Sequence, residues 1–207
     1  MPLYRINNHL VFFVHIPKTG GSSIEASLES EGSVCLSKKI DCFPAPFQHL
    51  HAELFQRLVP DDFYDKGFAV CRNPYSRLIS EYRHQIIRGR VTQMTVDSWI
   101  ENVFRKYKRD PFLKHNHIRP QSEFICNSIE VFKFEDGLES VVKGIYSFCG
   151  ISSYKVHHNQ KRYKKTPIQL KMSSLEKIRK FYQVDFDVFR YDPEDYTFVE
   201  KDQVVLI

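Results

Sequence analysis

The sequence has no apolar run long enough to cross a membrane. The longest run near its start is Leu10–Val14, whereas a membrane-spanning helix needs about 20 predominantly apolar residues and the core of a signal peptide is also longer. We therefore predict no N-terminal anchor and no stable membrane insertion. A cytoplasmic protein is expected.

Cysteine is scarce, and its spacing fits neither a disulfide framework nor a zinc site. The number of cysteines is odd, and no two are spaced as CxxC. Disulfide scaffolds use even numbers, and four-thiolate zinc sites use closely spaced pairs. Mostly reduced thiols are predicted, which also favours the cytoplasm. The cysteines are Cys35, Cys42, Cys71, Cys126 and Cys149.

Glycine and proline are also few, and no segment is a clear linker. The 207 residues include 8 Gly and 10 Pro, with 42% hydrophobic and 27% charged residues, which excludes collagen-like and disordered chains. No repeat, low-complexity tract or Gly/Ser-rich stretch marks a boundary. The sequence predicts a single domain over residues 1–207.

Charge of one sign is only weakly in excess. Lys and Arg number 30 against 25 Asp and Glu, for a formal net charge of +5. This excess suits a polyanionic ligand, but a protein that coats nucleic acid would be more basic. We expect no nucleic-acid partner.

What the sequence does contain is an alternation of strand-like and helix-like segments. Val11–His15 and Gly67–Cys71 are rich in β-branched and aromatic residues, and each leads into turn residues and a helix-forming segment. Glu130–Phe134 alternates as a further strand. This order predicts an α/β fold in three layers, with a central, mostly parallel sheet flanked by helices. Further helices are predicted over residues 52–59, 96–107, 138–148 and 175–182.

The segment between the first of these strands and its helix has the composition of an anion-binding loop. Gly20 and Gly21 allow backbone N–H groups to approach an oxyanion, the following helix favours negative charge at its start, and Lys18 adds a mobile positive charge. The lysine precedes the glycines, whereas in the pattern GxxxxGK[ST] it follows them. An ordinary ATPase loop is therefore not predicted. A tight turn with a solvated lysine is the alternative.

A second anion-binding element, formed by two residues, is predicted where the next strand ends. Arg72 follows that strand directly, and Ser80 lies eight residues later on the predicted helix. An arginine can bind two oxygens of one phosphate, and a serine hydroxyl can donate a third hydrogen bond. Taken singly, Arg72 would be read as a surface ion pair and Ser80 as a solvent-facing helix residue.

Residues 13–23, with the core Pro17–Ser23, resemble the 5′-phosphosulfate loop of sulfotransferases that use 3′-phosphoadenosine 5′-phosphosulfate (PAPS). Residues 72–80 resemble the 3′-phosphate motif of the same family, and the likeness spans nearly the whole chain. It implies a P-loop-like fold and the transfer of a sulfuryl group from PAPS to a hydroxyl of an acceptor. The expected acceptor is a carbohydrate, and no metal is expected to take part. The implied PAPS-binding residues are Lys18, Thr19, Gly20, Gly21, Ser22, Ser23, Arg72, Ser80, Lys161 and Arg162.

A histidine pair is the candidate for the base that removes the acceptor proton. The placement of His49 and His51 resembles the paired histidines of the uronyl and heparan 2-O-sulfotransferase branch. This likeness implies that one of them is the catalytic base, with His51 preferred over His49. Lys18 is expected to act in catalysis as well, by stabilising negative charge on the oxygen that leaves the sulfur. In an extended stretch both imidazoles would point to one side. Capping or packing on the next helix is the alternative for His49. Glu25 is another candidate base, as in some sulfotransferase branches, or a solvated helix residue.

A second histidine pair precedes a segment that resembles the RPQ motif of bacterial carbohydrate sulfotransferases. The likeness implies that Arg119 and Gln121 bind acceptor hydroxyls or a sugar carboxylate, and a structural loop is the alternative. Four imidazoles could also satisfy a zinc ion. Nothing in the sequence brings His115 and His117 to the first pair, so no metal is predicted.

Lys161 and Arg162 belong to the most basic run of the chain. That run is similar to the late basic loop that covers the nucleotide in sulfotransferases, and a solvated loop is the alternative. Tyr75 and Phe134 are predicted to pack in the core or against the adenine.

Two rival functions are a kinase that binds ATP and a non-catalytic module that binds anionic polymers. A kinase would need Mg²⁺ and an acidic residue at a strand end to hold it, yet the strand here ends in Cys71 and Arg72. Animal Golgi members of the family have an N-terminal anchor. Its absence here favours a bacterial cytoplasmic enzyme or a trimmed chain, with a glycan as the expected acceptor.

Overall fold

The computed structural model describes residues 1–37, 45–60, 62–152, 156–157 and 166–207. Its strands are β1 (Leu3–Ile6), β2 (His9–Val14), β3 (Ser33–Cys35), β4 (Lys66–Cys71), β5 (Ile129–Lys133), β6 (Ile168–Leu170) and β7 (Val204–Leu206). Its helices are α1 (Gly21–Leu28), α2 (Ala52–Gln56), α3 (Pro74–Ile87), α4 (Val96–Tyr107), α5 (Leu138–Cys149), α6 (Met172–Phe181), α7 (Gln183–Phe189) and α8 (Phe198–Lys201). Single 3₁₀ turns cover Phe47–His49, Gln121–Phe124 and Phe134–Asp136.

Two units make up the described part of the chain. The sheet unit comprises Met1–Arg72 and Glu123–Lys161, and the helical unit comprises Asn73–Ser122 and Arg162–Ile207. The single domain over residues 1–207 stays a prediction.

Five described strands form the sheet of the sheet unit, in the order β3-β1-β2-β4-β5. β2, β4 and β5 run parallel to one another, and β1 is antiparallel to both β2 and β3. All but β1 therefore point in one direction. The predicted α/β class with a mostly parallel central sheet is confirmed.

β1 is absent from the sequence-based prediction, and local geometry explains why it forms. Asn7 and Asn8 both have positive φ, 47° and 67°, and Ile6 pairs with His9 across them. Two central residues with positive φ are what a tight two-residue hairpin requires. Leu3, Tyr4 and Ile6 are all buried, so the strand lacks the apolar–polar alternation that identifies a half-buried strand.

Helices and short turns cover both faces of this sheet. On one face, Phe13 and Val70 pack against Ile24 of α1 and Val141 and Ile145 of α5. On the other face, Phe12 stacks on Phe55 of α2 with ring centres 4.1 Å apart. Leu50 and Phe124 belong to the same cluster as Phe12. The result is the expected three-layer arrangement. β2, the glycine loop and α1 follow one another as strand, loop and helix, which is the order of a P-loop-like fold.

The helical unit has a core of its own. α3, α4, α6 and α7 enclose a cluster that includes Trp99, Ile100, Ile178 and Phe186. The fully buried carboxylate of Asp185 accepts hydrogen bonds from the amides of Gln121 and Ser122, both at 2.8 Å. A short parallel pair, β6 and β7, completes the unit. No described helix has the length and apolar character that a membrane span requires.

The described cysteines have free thiols, and their burial predicts unequal reactivity. Cys35 is exposed, whereas Cys71, Cys126 and Cys149 are buried. Burial raises the pKa of the Cys149 thiol to about 11, so at a pH of about 8.5 little of it is the reactive thiolate. We expect iodoacetamide to alkylate Cys35 in the native protein and Cys149 only after unfolding, as measured by peptide mass spectrometry. Equal rates for the two thiols in the native protein would contradict this.

Candidate active site at the glycine loop

The glycine loop connects β2 to α1 and presents backbone donors at the start of that helix. Lys18 and Gly20 have positive φ, 72° and 86°. The Thr19 hydroxyl donates to the Ile16 carbonyl at 2.8 Å and holds the turn. Gly20 caps the helix without a side-chain bond, and the amides of Gly20 and Gly21 have no acceptor among the described residues. Such donors at a helix start form an anion-binding site.

Close packing restricts both glycines, and the positive φ of Gly20 restricts that position further. A Cβ atom on Gly20 would lie 3.0 Å from Cε2 of Phe134, and a Cβ atom on Gly21 would overlap the imidazole ring of His15. The loop backbone is therefore in direct contact with two rings. A larger residue at either position would collide with one of these rings.

His15 is a site residue that the sequence analysis missed. Its Nδ1 lies 2.7 Å from Oε1 of Glu25, and the two side chains are 5% and 16% exposed. A carboxylate only accepts, so Nδ1 carries the proton and donates to Glu25. The candidate base Glu25 is thus bound to His15 and is not a solvated helix residue. Its position at the end of a strand and directly before the loop was the only signal for His15.

The pair His49 and His51 is buried, with 7% and 6% exposure. His49 ends the 3₁₀ turn, whereas Leu50 and His51 are extended. The whole stretch is therefore not extended, and the condition that would place both imidazoles on one side is not met. Phe47, which begins this turn, and Leu50, which follows it, are buried in the core under the sheet.

His49 contacts His15, which lies between β2 and the loop glycines. Its Nδ1 lies 3.2 Å from the His15 carbonyl oxygen, and its ring centre lies 4.6 Å from that of His15. Because the carbonyl only accepts, Nδ1 carries the proton and Nε2 has the lone pair. The amide nitrogen of Gln48 lies 3.2 Å from that Nε2. Both ring nitrogens of His49 are therefore hydrogen-bonded.

Arg72 lies at the same loop. It follows β4, and its Nη1 donates to the Lys18 carbonyl at 3.3 Å. Its guanidinium carbon lies 4.6 Å from the ring centre of Phe134, the residue that also contacts Gly20. The loop lysine and the strand-end arginine, predicted from separate motifs, are thus brought together.

The other predicted PAPS-binding residues differ in their burial and position along the chain. Ser22 is exposed and Ser23 is buried in the first turn of α1, and Ser80 is partly buried on α3 of the helical unit. Lys161 and Arg162 lie outside the described residues.

Arg119 and Gln121 are built into the helical unit. The Arg119 guanidinium donates to Oδ1 of Asn116 at 3.1 Å and to the Pro111 carbonyl at 3.3 Å. Gln121 is fully buried, and its amide donates to Asp185. These contacts anchor the loop that contains them. Acceptor binding by the two residues stays a prediction.

Tyr75 belongs to the core of the helical unit. Its ring stacks on Phe198 with ring centres 4.9 Å apart, and burial raises the pKa of its hydroxyl to about 12. The Tyr75 hydroxyl donates to the Pro193 carbonyl at 3.0 Å.

The packing of His15 over Gly21 gives a direct prediction. Alanine normally stabilises a helix by up to about 1 kcal/mol relative to glycine, but Gly21→Ala places a methyl group inside the His15 ring. We expect a net loss of about 1–3 kcal/mol in the free energy of unfolding, measured by urea denaturation. The same change in a His15→Ala background should cost less. Equal or higher stability of Gly21→Ala alone would contradict the packing.

The chain is similar to known sulfotransferases. The chain matches the model of the sulfotransferase family over residues 3–192. It is also similar to the crystal structure of a sulfotransferase from Alicyclobacillus acidocaldarius, with 17% identity and a TM-score of 0.42, over 68% of this chain and 59% of that one. No curated protein gives a significant match. Because the family model covers most of its length, the chain belongs to the sulfotransferase family.

Proposed function

We propose that the protein transfers a sulfuryl group from PAPS to a hydroxyl group of an acceptor, most naturally a carbohydrate. The observation that supports this best is the contact between Arg72 and the Lys18 carbonyl. This contact places an arginine, which can bind a phosphate, beside the loop that leads into α1. The glycine amides at the start of α1 have no acceptor among the described residues. A nucleotide with phosphates at both its 5′ and 3′ ends needs two such elements.

The residues at the loop fit the 5′-phosphosulfate group of PAPS. Phe134 and His15 pack where a Cβ atom on Gly20 or Gly21 would lie, and this packing holds the loop backbone in place. The amides of these glycines lie at the start of α1, where a bound anion is stabilised. PAPS supplies a sulfuryl group that is activated by a phosphate leaving group. The residues proposed to hold its 5′ end are Lys18, Thr19, Gly20, Gly21, Ser22 and Ser23.

Lys18 is proposed as the group that stabilises negative charge as it develops on the leaving oxygen. Its backbone has a positive φ of 72°, and its carbonyl oxygen accepts from Arg72. The loop backbone is therefore held in place before the reaction, which is the condition for effective electrostatic stabilisation. With lysine and loop amides at the leaving group, we expect transfer without a metal ion.

Arg72 is proposed to bind the 3′-phosphate. Its position over Phe134 restricts the guanidinium plane, and a restricted arginine loses less entropy when it binds phosphate. Ser80 and the basic residues Lys161 and Arg162 stay predictions from the sequence motifs alone.

His51 is proposed as the base that takes the acceptor proton, with His49 as a positioning residue. His49 has hydrogen bonds at both ring nitrogens, to the His15 carbonyl and to Gln48. A base needs a lone pair that can meet the acceptor hydroxyl, and the Nε2 lone pair of His49 already lies 3.2 Å from the Gln48 amide nitrogen. The choice of His51 itself is supported by its likeness to the paired histidines of the uronyl and heparan branch. The carbohydrate acceptor is supported by the likeness of this histidine pair to that of the uronyl and heparan branch.

Nucleotide binding in the presence of EDTA tests the proposal. We expect calorimetry to show that 3′-phosphoadenosine 5′-phosphate (PAP) binds about 10–100-fold more tightly than 5′-AMP, because charged hydrogen bonds contribute about 1.5–3 kcal/mol each. ATP should bind more weakly than PAP. In a parallel titration with Mg²⁺ and no EDTA, preferential binding of ATP would favour a kinase. Binding of an anionic polymer, with no binding of any nucleotide, would favour a binding module.

The acceptor class needs a separate assay. PAPS turnover is measured with a uronic-acid polysaccharide, a neutral glycan and a simple alcohol as acceptors. Sulfation of a glycan is the expected result. Turnover with the alcohol and none with either glycan would contradict a carbohydrate acceptor while leaving PAPS use intact.

A further inference from the structure

The helical unit contains a cluster of two imidazoles and one carboxylate away from the glycine-loop residues in sequence. Glu81 and His84 lie one turn apart on α3, and His117 lies in the loop after α4. Their potential ligand atoms are all within 4.8 Å of one another. Oε2 of Glu81 lies 2.7 Å from Nδ1 of His117 and 3.6 Å from Nδ1 of His84.

These separations suit a single bound ion. Zinc binds imidazole nitrogen and carboxylate oxygen at about 2.0–2.2 Å, so neighbouring ligands of a tetrahedral ion lie about 3.3 Å apart by geometry. The two distances from Glu81 lie on either side of that value. The 3.6 Å separation at His84 is too long for a hydrogen bond. Nδ1 of His84 is buried without a hydrogen-bond partner in the described part of the chain.

The Glu81 carboxylate of the cluster is inaccessible to solvent, whereas the His84 imidazole is accessible. Glu81 is fully buried, whereas the His117 and His84 side chains are 16% and 29% exposed. An ion could therefore enter past His84. Three protein ligands would leave a fourth position for water, as in open zinc sites.

The surrounding residues orient the carboxylate. Gln85 donates from its amide to Oε1 of Glu81, so Oε2 is the oxygen turned towards the histidines. Lys114 in turn donates to Oε1 of Gln85 at 3.0 Å. Outer-shell partners of this kind hold metal ligands in place.

The backbone at His117 is unusual and firmly held. Lys114, His115 and Asn116 are three consecutive residues with positive φ, 54°, 59° and 68°. Such a conformation is unfavourable for most residues other than glycine and persists only where the surroundings enforce it. Arg77, which is buried, donates to the His117 carbonyl at 3.2 Å and so fixes the end of this turn.

We propose that Glu81, His84 and His117 bind a divalent transition-metal ion such as Zn²⁺. A Glu-x-x-His pair on one helix is a recurring source of metal ligands in helical folds. Two imidazoles with one carboxylate suit zinc and its neighbours, whereas Mg²⁺ and Ca²⁺ select oxygen ligands. The proposal departs from the prediction of no metal, and it does not depend on the proposed sulfuryl transfer.

One residue should compete with the ion. Nε of Arg88 donates to Nε2 of His84 at 3.3 Å, which places the proton of a neutral His84 on Nδ1. Coordination through Nδ1 moves that proton to Nε2 and breaks the bond to Arg88. Arg88 is exposed and can move away, so Arg88→Ala should bind the metal at least as tightly as the wild type.

The test is titration of the full-length, tag-free protein with Co²⁺ and Zn²⁺ after chelator treatment. We expect one Co²⁺ per chain with the visible absorption of a tetrahedral ion, and Zn²⁺ should displace it. His84→Ala should weaken Zn²⁺ binding by more than the roughly 10–100-fold that loss of an outer-shell partner costs. His117→Ala should act in the same way.

The matched control is His115→Asn, two residues from His117, because His115 is exposed and asparagine tolerates its positive φ. This variant should bind as the wild type does. Absence of Co²⁺ binding, equal binding by wild type and His84→Ala, or weaker binding by Arg88→Ala would each overturn the proposal. His84 is partly exposed, so His84→Ala remains decisive if His117→Ala fails to fold.

Discussion

His51→Ala should lower kcat about 10²–10⁴-fold, the usual cost of removing a general base, while the affinity for PAP stays within a few-fold. The reason is that His51 is proposed to act only on the acceptor proton, whereas the nucleotide contacts come from the glycine loop and Arg72. The measurement is steady-state turnover of PAPS with a saturating acceptor, together with calorimetric binding of PAP. A fall in kcat with unchanged nucleotide affinity separates a base from a nucleotide-binding residue.

The matched control for His51→Ala is His9→Ala. His9 begins β2 and is half exposed, and its nearest acidic partner, Asp65, is 3.8 Å away. Its removal should leave kcat unchanged. His49→Ala should reduce kcat less than His51→Ala does, because His49 is a positioning residue bound to the His15 carbonyl and Gln48. If His51→Ala retains turnover while His49→Ala loses it, the two roles are reversed.

Arg72→Ala should weaken PAP binding about 100-fold, since a charged hydrogen bond contributes about 1.5–3 kcal/mol and an arginine can form two with one phosphate. Binding of 5′-AMP should change far less, because this nucleotide lacks the 3′-phosphate. The loss of selectivity between PAP and 5′-AMP is therefore the decisive readout. It is measured by calorimetry of both nucleotides on the wild type and the variant.

Two variants serve as controls for Arg72→Ala. Arg57→Ala removes an exposed arginine whose partner is Glu53 at 2.7 Å, and it should leave both affinities unchanged. Arg72→Lys keeps the charge but not the two-oxygen geometry, so it should restore part of the selectivity. Equal losses for PAP and 5′-AMP in Arg72→Ala would assign the arginine to the shape of the loop, through its bond to the Lys18 carbonyl, and not to the 3′-phosphate.

Much of the fold was predictable because its elements are locally encoded. The helix predicted over 96–107 is α4, Val96–Tyr107. Thr95 is its N-cap, and the Thr95 side chain accepts a hydrogen bond from the Ser98 amide. A cap residue and an apolar stripe lie within a few residues of each other, so a single sequence is sufficient to find them. The short strands β3, β6 and β7 were missed because three residues do not establish a period.

The candidate site was only partly predictable. Glycine spacing identified the loop, but nothing in the sequence pairs His15 with Glu25 or places Phe134 against Gly20. The histidine pair was found, but its mixed 3₁₀ and extended backbone was not. The conformation of that stretch depends on how Phe47 and Leu50 pack under the sheet, and packing against distant residues leaves no local pattern.

The sequence by itself determined the α/β class, the position of the glycine loop and the likeness to the sulfotransferase family, because strand, turn and helix signals act over a few residues. Only the tertiary structure decided which distant groups meet. β2 and β4 are parallel neighbours with Val14 opposite Ala69, and this register brings their following residues, Lys18 and Arg72, to one end of the sheet. The cluster of Glu81, His84 and His117 likewise forms only when a left-handed turn returns to α3. Strand order and loop closure decide such contacts, and residue identity alone does not.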